Sequence, residues 1–179
     1  MFALDAKTMQ RIAPVVRRVL IVDPNPAAAR LLMDLLKGFG SREVVVEGDE
    51  SRVLDLAREM EPGLICTERA GPKLDGEALV RRIRRSSLSC RRAPIIMVTA
   101  EATASAIKGA RDSGVHEFLR KPFTSGDLQR RIGQGAVIAE DDELAEELAK
   151  QILFLRIYHT ISQYLGHEVP YFVVRPASL

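Results

Sequence analysis

Short β-branched runs alternate along most of the chain with longer stretches in which apolar residues return at every third or fourth position. Residues 18–22 after the leading Arg18, the Val44-Val45-Val46 run, and residues 63–67 and 94–98 carry consecutive apolar positions, the pattern of strands covered on both faces, and 117–120, with Phe118 and Leu119, reads as a short fifth strand. Between them, Ala28, Leu31, Leu32, Leu35 and Phe39 predict a helix over residues 27–39, which Gly40 stops. Val53, Leu54 and Ala57 predict another over 51–60, and Leu79, Val80 and Ile83 a third over 77–85. The alanine-rich segment 102–113 is a fourth, and Thr124 or Ser125, with Asp127 in the first turn, caps a fifth over 124–132. Five strands alternating with five helices predict an α/β domain built on a doubly wound parallel sheet. Right-handed crossovers gather the strand carboxyl ends along one edge, where such sheets bind ligands.

Outside this repeat the pattern changes. Residues 1–15 mix Asp5, Lys7 and Arg11 with Met9, Ile12 and Val15, a short amphipathic helix stopped near Pro14 and read as an extension outside the core. The stretch 133–139, Gly-Gln-Gly-Ala-Val-Ile-Ala, reads as a linker or a frayed helix end. An acidic start at Glu140-Asp141-Asp142-Glu143 suits the positive end of a helix dipole. Leu144, Leu148, Ile152 and Leu155 then form one apolar row, and Leu153, Ile157, Ile161 and Leu165 a second row read as lying beside it. Such a face packs on the sheet domain or meets a partner, a second copy of the chain included. Residues 169–174 read as a strand and 175–179 as a tail. The chain thus divides into an N-terminal extension 1–16, an α/β domain 17–133 and a C-terminal helical extension with tail 134–179.

Composition narrows the partners. With 179 residues and a net charge of +2, no global field argues for nucleic acid, and anion binding must be local. The strongest local charge is Arg81, Arg82, Arg84 and Arg85 with Arg91 and Arg92. It is read either as an anion patch, for example for a cyclic dinucleotide, or as a solvated helix face, since no aromatic residues interleave to stack bases. Cys66 and Cys90 have no metal spacing and form no disulfide framework. No segment approaches the roughly 18 apolar residues of a membrane span, and the N-terminus lacks the pattern of a secretion leader, so a cytoplasmic location is expected. His159, on the long apolar helix, reads as a bystander.

Four residues stand at or just after strand ends: Asp23, Glu68, Thr99 and Lys121. With Val19-Leu20-Ile21-Val22-Asp23, Pro72, Asp75-Gly76, Met97-Val98-Thr99-Ala100 and Lys121-Pro122-Phe123, they make residues 17–133 resemble the receiver domain of two-component response regulators. The resemblance implies a flavodoxin-like strand order 2-1-3-4-5. It also implies an aspartate after the third strand that accepts a phosphoryl group from a kinase histidine, and two acids after the first strand that hold Mg²⁺. A Thr reports the phosphate, a Lys pairs with it through a cis Lys-Pro bond, and Phe118 fills the position of an aromatic switch. The chemistry requires these types: a divalent cation neutralises the incoming oxygens, an ammonium offers a point charge and a hydroxyl can donate.

The sequence departs from that pattern twice. Glu68 stands where the phosphoacceptor belongs, and Pro24 where the second metal-binding acid belongs. With Asp23 left alone, Mg²⁺ binding is expected to be weak or lost, and no other cofactor is expected. Glu68, one methylene longer than Asp, is expected to pair with Lys121 and hold Thr99 inward, as a phosphate mimic or as an inert ion pair. The expected function is therefore that of a signalling protein, not an enzyme: a pseudo-receiver acting through protein contacts. Its expected partners are a sensor histidine kinase or phosphotransfer protein, with a homodimer through residues 140–166 and no DNA. The alternatives are an effector that responds to an anionic ligand and a switch that is still phosphorylated.

Overall fold

The computed structural model describes residues 6–165 and has the doubly wound arrangement. Helix α1 (Ala6–Val15) leads into β1 (Arg18–Val22), α2 (Pro26–Gly38), β2 (Glu43–Glu47), α3 (Glu50–Met60) and β3 (Leu64–Thr67). After β3 come β4 (Ala70–Gly71) and β5 (Leu74–Asp75), α4 (Gly76–Arg85), a 3₁₀ turn (Ser89–Arg92), β6 (Ile95–Thr99), α5 (Ala104–Ser113), β7 (Glu117–Arg120) and α6 (Ser125–Leu165). The five-stranded sheet runs β2-β1-β3-β6-β7 with every pairing parallel, which is the expected order 2-1-3-4-5 once the small hairpin is set aside.

Successive strand residues face opposite sides of the sheet, so the consecutive apolar runs fill two cores. Leu20, Val22, Ile65 and Met97 pack with α3, α4 and α5 residues such as Val53, Leu79, Val80, Ile83 and Ala110. Val19, Ile21, Leu64, Cys66, Ile96 and Val98 pack on the other face with Leu32, Leu36, Leu128 and Ile132. Each fully buried Leu or Ile adds about 1.5–3 kcal/mol of transfer free energy, so an acid at Ile65 would break the sheet from its middle. Short polar side chains start the helices: Asn25 accepts from the Ala27 and Ala28 amides, Asp49 from Ser51, Asp75 from Ala78 and Thr103 from Ala106. For α6 the cap is reciprocal: the Thr124 hydroxyl accepts from the Asp127 amide, and the Asp127 carboxylate accepts from the Thr124 amide.

Two local expectations are corrected. The N-terminal helix is not outside the core, because Ile12 and Val16, one turn apart, are buried in the second cluster. The Gly- and Pro-rich segment after β3 closes into the antiparallel β4–β5 hairpin, and Cys90 is buried in the 3₁₀ turn. The second correction is that residues 133–139 do not break the helix. Ala136 and Ala139 are buried, and a Cβ on Gly135 would already stand 3.6–3.7 Å from Glu117, His116 and Pro94, so packing of α6 overrides glycine propensity.

Two compact units divide the chain at Glu140 and Asp141. In the second, α6 continues to Leu165, with Leu144 and Leu148 exposed by 60% and 50% on successive turns. The side chains of the second apolar row, and those of the first row beyond Leu148, lie outside the described ones. The expected strand over 169–174 and the tail lie outside the described residues.

Candidate functional site at the strand ends

The parallel register delivers four expected residues to one edge. Asp23 follows β1, Glu68 follows β3, Thr99 closes β6 and Lys121 follows β7. Backbone bonds fix them: the Asp23 amide donates to the Glu47 carbonyl at 3.1 Å, the Glu68 amide to Val22 at 2.8 Å, and the Lys121 amide to Thr99 at 2.8 Å. The Lys121–Pro122 bond is cis, as the resemblance implied.

The Lys121 ammonium donates to Glu68 Oε2 at 2.7 Å and to Asp23 Oδ2 at 2.9 Å. Exposures of 24%, 15% and 6% for Lys121, Glu68 and Asp23 leave the triad little water. Burial works against the ammonium, but hydrogen bonds and attraction from Glu68 and Asp23 outweigh it and raise the lysine pKa above its ordinary value. The remaining carboxylate oxygens are also engaged. Asp23 Oδ1 accepts from the Asn25 amide, and Glu68 Oε1 from the Arg69 amide, both at 2.8 Å. Charge-assisted bonds of this kind are about twice as strong as neutral ones.

Arg69 was not singled out from the sequence, and its signal is a basic residue directly after the strand-end acid. Its guanidinium pairs with Glu101, in the segment after β6, and reaches Glu77 on α4 at 3.5 Å. The Glu101 hydrogen bond raises the guanidinium's pKa against the opposing effect of burial. Thr99 is buried, and its hydroxyl accepts from the Glu101 amide at 3.2 Å. Thr99 is therefore tied into this loop, while Glu68 is held by Lys121.

The residues present do not fit a Mg²⁺ site. The two neighbouring carboxylates share an ammonium, and at the position of the missing acid the Pro24 ring packs against the hairpin. A Cβ on Gly71 would stand 2.4 Å from Pro24 Cγ, so glycine is required for this close approach. No group of three or more His, Cys, Asp or Glu side chains suited to a metal occurs among the described residues.

The remaining candidates separate. Phe118 is partly buried against the α3–α4–α5 core. Arg84 is turned inward: Nε donates to the Gly114 carbonyl at 2.9 Å, and Nη1 to the Arg91 and Ala93 carbonyls at 2.6 and 2.9 Å. Its Nη2 stands 3.0 Å from His116 Nδ1. It is thus a clamp between the α4 end, the 3₁₀ turn and the start of β7, and not part of an open anion patch. Arg81 pairs with Glu77 and Arg82 with Glu50, while Arg85 is exposed.

A family model, the response regulator receiver domain, matches residues 19–133. The DNA-binding response regulator MtrA of Mycolicibacterium smegmatis is 31% identical over 133 residues, covering 74% of this chain and 56% of that protein. The transcriptional regulatory protein PdtaR of Mycobacterium tuberculosis is 33% identical over 125 residues, covering 70% and 59%. The chain thus spans little more than half the length of these relatives. Among solved structures, the receiver domain of the sensor histidine kinase PA1611 from Pseudomonas aeruginosa, with a magnesium ion in its active-site cleft, is similar with a TM-score of 0.60. It is 28% identical, with 67% of this chain and 97% of that one covered. A receiver domain protein from Clostridium thermocellum shares the fold at a TM-score of 0.60 and 23% identity, over 69% and 96% of the two chains.

Proposed function

Since the chain belongs to the response regulator receiver family, we propose that it is a receiver whose phosphoryl-transfer chemistry has been replaced by a fixed ion triad, and that it signals by binding other proteins. One observation carries this reading: the Lys121 ammonium is hydrogen-bonded to both Glu68 and Asp23. A phosphoacceptor needs a nucleophilic carboxylate oxygen beside a divalent cation. Here Glu68 replaces the shorter Asp, both of its oxygens accept hydrogen bonds, and Pro24 supplies no charge. The reading is of a binding protein without turnover, working in the cytoplasm with a sensor histidine kinase or a phosphotransfer protein. The apolar rows within residues 140–166 supply a surface for self-association. Among the described residues no helix is long and apolar enough to cross a membrane.

The test is intact mass after incubation with a small acyl-phosphate donor and Mg²⁺, beside a Pro24→Asp, Glu68→Asp double variant. The native chain is expected to stay unlabelled while the variant gains one phosphoryl group. Labelling of the native chain would make it a working switch and end the proposal.

A further inference from the structure

The triad accounts for Glu68, Asp23 and Lys121 but leaves unexplained the cation that follows Glu68. We infer that Arg69 is a positioning residue: a built-in tie that holds the segment between β6 and α5, and α5 itself, in one arrangement without any phosphoryl group. This rests on the reading of a receiver with fixed chemistry and assigns the part that fixes its output.

The tie has two arms and a root. At the root, the Arg69 amide donates to Glu68 Oε1, so the arginine backbone is locked to the same carboxylate that Lys121 holds. One arm is the ion pair with Glu101, whose own amide donates to the Thr99 hydroxyl at 3.2 Å. That pair therefore fixes the first residues after β6, and two residues beyond Glu101, Thr103 caps α5 by accepting from the Ala106 amide. The other arm runs to Glu77, whose carboxylate lies against the α5 backbone: a Cβ on Gly109 would stand 2.8 Å from its Oε2. Arg69 thus reaches α5 at its entrance and, through Glu77, at its middle. Glycine at 109 is what lets that carboxylate come so close.

The alternative is that these contacts are incidental surface ion pairs, which contribute from nothing to about 1 kcal/mol. Two features argue against it. Arg69 is only a quarter exposed, and three separate elements converge on it: the end of β3, the first turn of α4 and the loop before α5. Glu101 is half exposed, so the effect must be local and modest, and it must weaken with salt.

The experiment is amide hydrogen exchange by mass spectrometry on the full chain, with no phosphoryl donor present. The variants are Arg69→Gln, Glu101→Gln and the conservative Arg69→Lys, which keeps a cation facing both Glu101 and Glu77. The Arg69→Gln and Glu101→Gln variants are each expected to speed exchange of residues 101–106 about 2- to 5-fold, as loss of a partly exposed ion pair allows. Peptides in β1 and β3 and the melting temperature should stay as in the native chain. Arg69→Lys should keep residues 101–106 within about twofold of the native chain, and 0.5 M NaCl should reproduce part of the effect of the neutral variants. Unchanged exchange in both neutral variants overturns the inference. So does acceleration spread over the core strands, or an Arg69→Lys variant that exchanges as fast as Arg69→Gln. The two proposals fail separately. A chain that takes up a phosphoryl group but shows the exchange pattern keeps the tie and loses the fixed chemistry, whereas an unlabelled chain with no exchange response loses only the tie.

Discussion

Replacing Lys121 by Met removes the ammonium that Glu68 and Asp23 share and leaves two nearly buried carboxylates facing each other. Both oxygens bond to one nitrogen, at 2.7 and 2.9 Å, so they stand no farther apart than those lengths laid end to end. At a separation of about 5 Å and an effective dielectric of about 20, two unit charges repel by roughly 3 kcal/mol. That agrees with the ~3–5 kcal/mol typical of breaking a buried pair by removing one partner. Lys121→Met is therefore expected to lose about 3 kcal/mol at pH 7. The assay is urea unfolding followed by far-ultraviolet circular dichroism, because the chain has no Trp to report by fluorescence. The sign with pH is fixed by the direction of the lysine shift. A cation whose folded pKa is raised stabilises fully below its unfolded value of about 10.4 and loses that contribution as pH rises through the folded value. At pH 7 the native chain thus has all of it. The gap between native chain and variant should therefore keep its pH 7 size up to about pH 10 and narrow above it, as the lysine loses its proton. Neutralising the set with Lys121→Met, Glu68→Gln and Asp23→Asn should recover most of the loss, since apolar or neutral replacement of a whole buried pair is often tolerated. A loss under about 0.5 kcal/mol at pH 7, or a gap that already narrows between about pH 7 and 9, would refute the reasoning.

Two further outcomes test the surroundings. Arg84→Ala strands the Arg91, Ala93 and Gly114 carbonyls and should lose about 2–4 kcal/mol in the same titration, whereas Arg85→Ala should stay within about 0.5 kcal/mol; equal effects would return Arg84 to the surface patch. Burial pushes the Cys66 thiol up to about 12, so the unfolded chain ionises first and this contribution is fully present below about pH 8.5 and is lost as pH rises from there towards about 12; stability should fall more steeply between about pH 9 and 10 in the native chain than in Cys66→Ala, and parallel slopes would count against a buried neutral thiol.

The strands and the Glu68–Lys121 pair were legible because they rest on residue type at fixed spacing, whereas Asp23 reads as a weakened metal ligand and its bond to Lys121 is not foreseen. Consecutive apolar residues at 19–22 and 64–66 leave few options besides a central strand. Glu68 and Lys121 are separated by 53 positions, yet each stands directly after its strand, so the parallel register alone brings them together. What escaped depended on which surface an element meets. Ile12 and Val16 form an ordinary amphipathic pair, and nothing local states that the sheet lies beneath them. Gly133 and Gly135 read as a break because glycine weakens a helix by about 1 kcal/mol, but buried Ile132, Ala136 and Ala139 on either side hold the helix through them. In the arginine cluster composition misled where helical phase would have served. Arg84 follows buried Val80 by four positions and so flanks the packed face, close to carbonyl groups that a long guanidinium can reach.

The same local arithmetic of charge decides how this receiver can work. Two strand-end carboxylates need a cation, and a divalent ion bound through oxygen ligands is favoured only where enough negative charge converges on it. Pro24 lowers that charge and its ring fills space beside Gly71, while the longer Glu68 brings its carboxylate to the lysine. A tethered ammonium then wins because it carries no entropy of capture from solution. Freeing Glu68 to act as a nucleophile would require withdrawing Lys121 at the roughly 3 kcal/mol worked out above, a factor of more than a hundred in population. Arg69 sits on the same carboxylate and carries that fixed state to Glu101 and α5. On the proposed reading the state of the site is constant, and information enters through which protein the chain meets and how much of the chain is present.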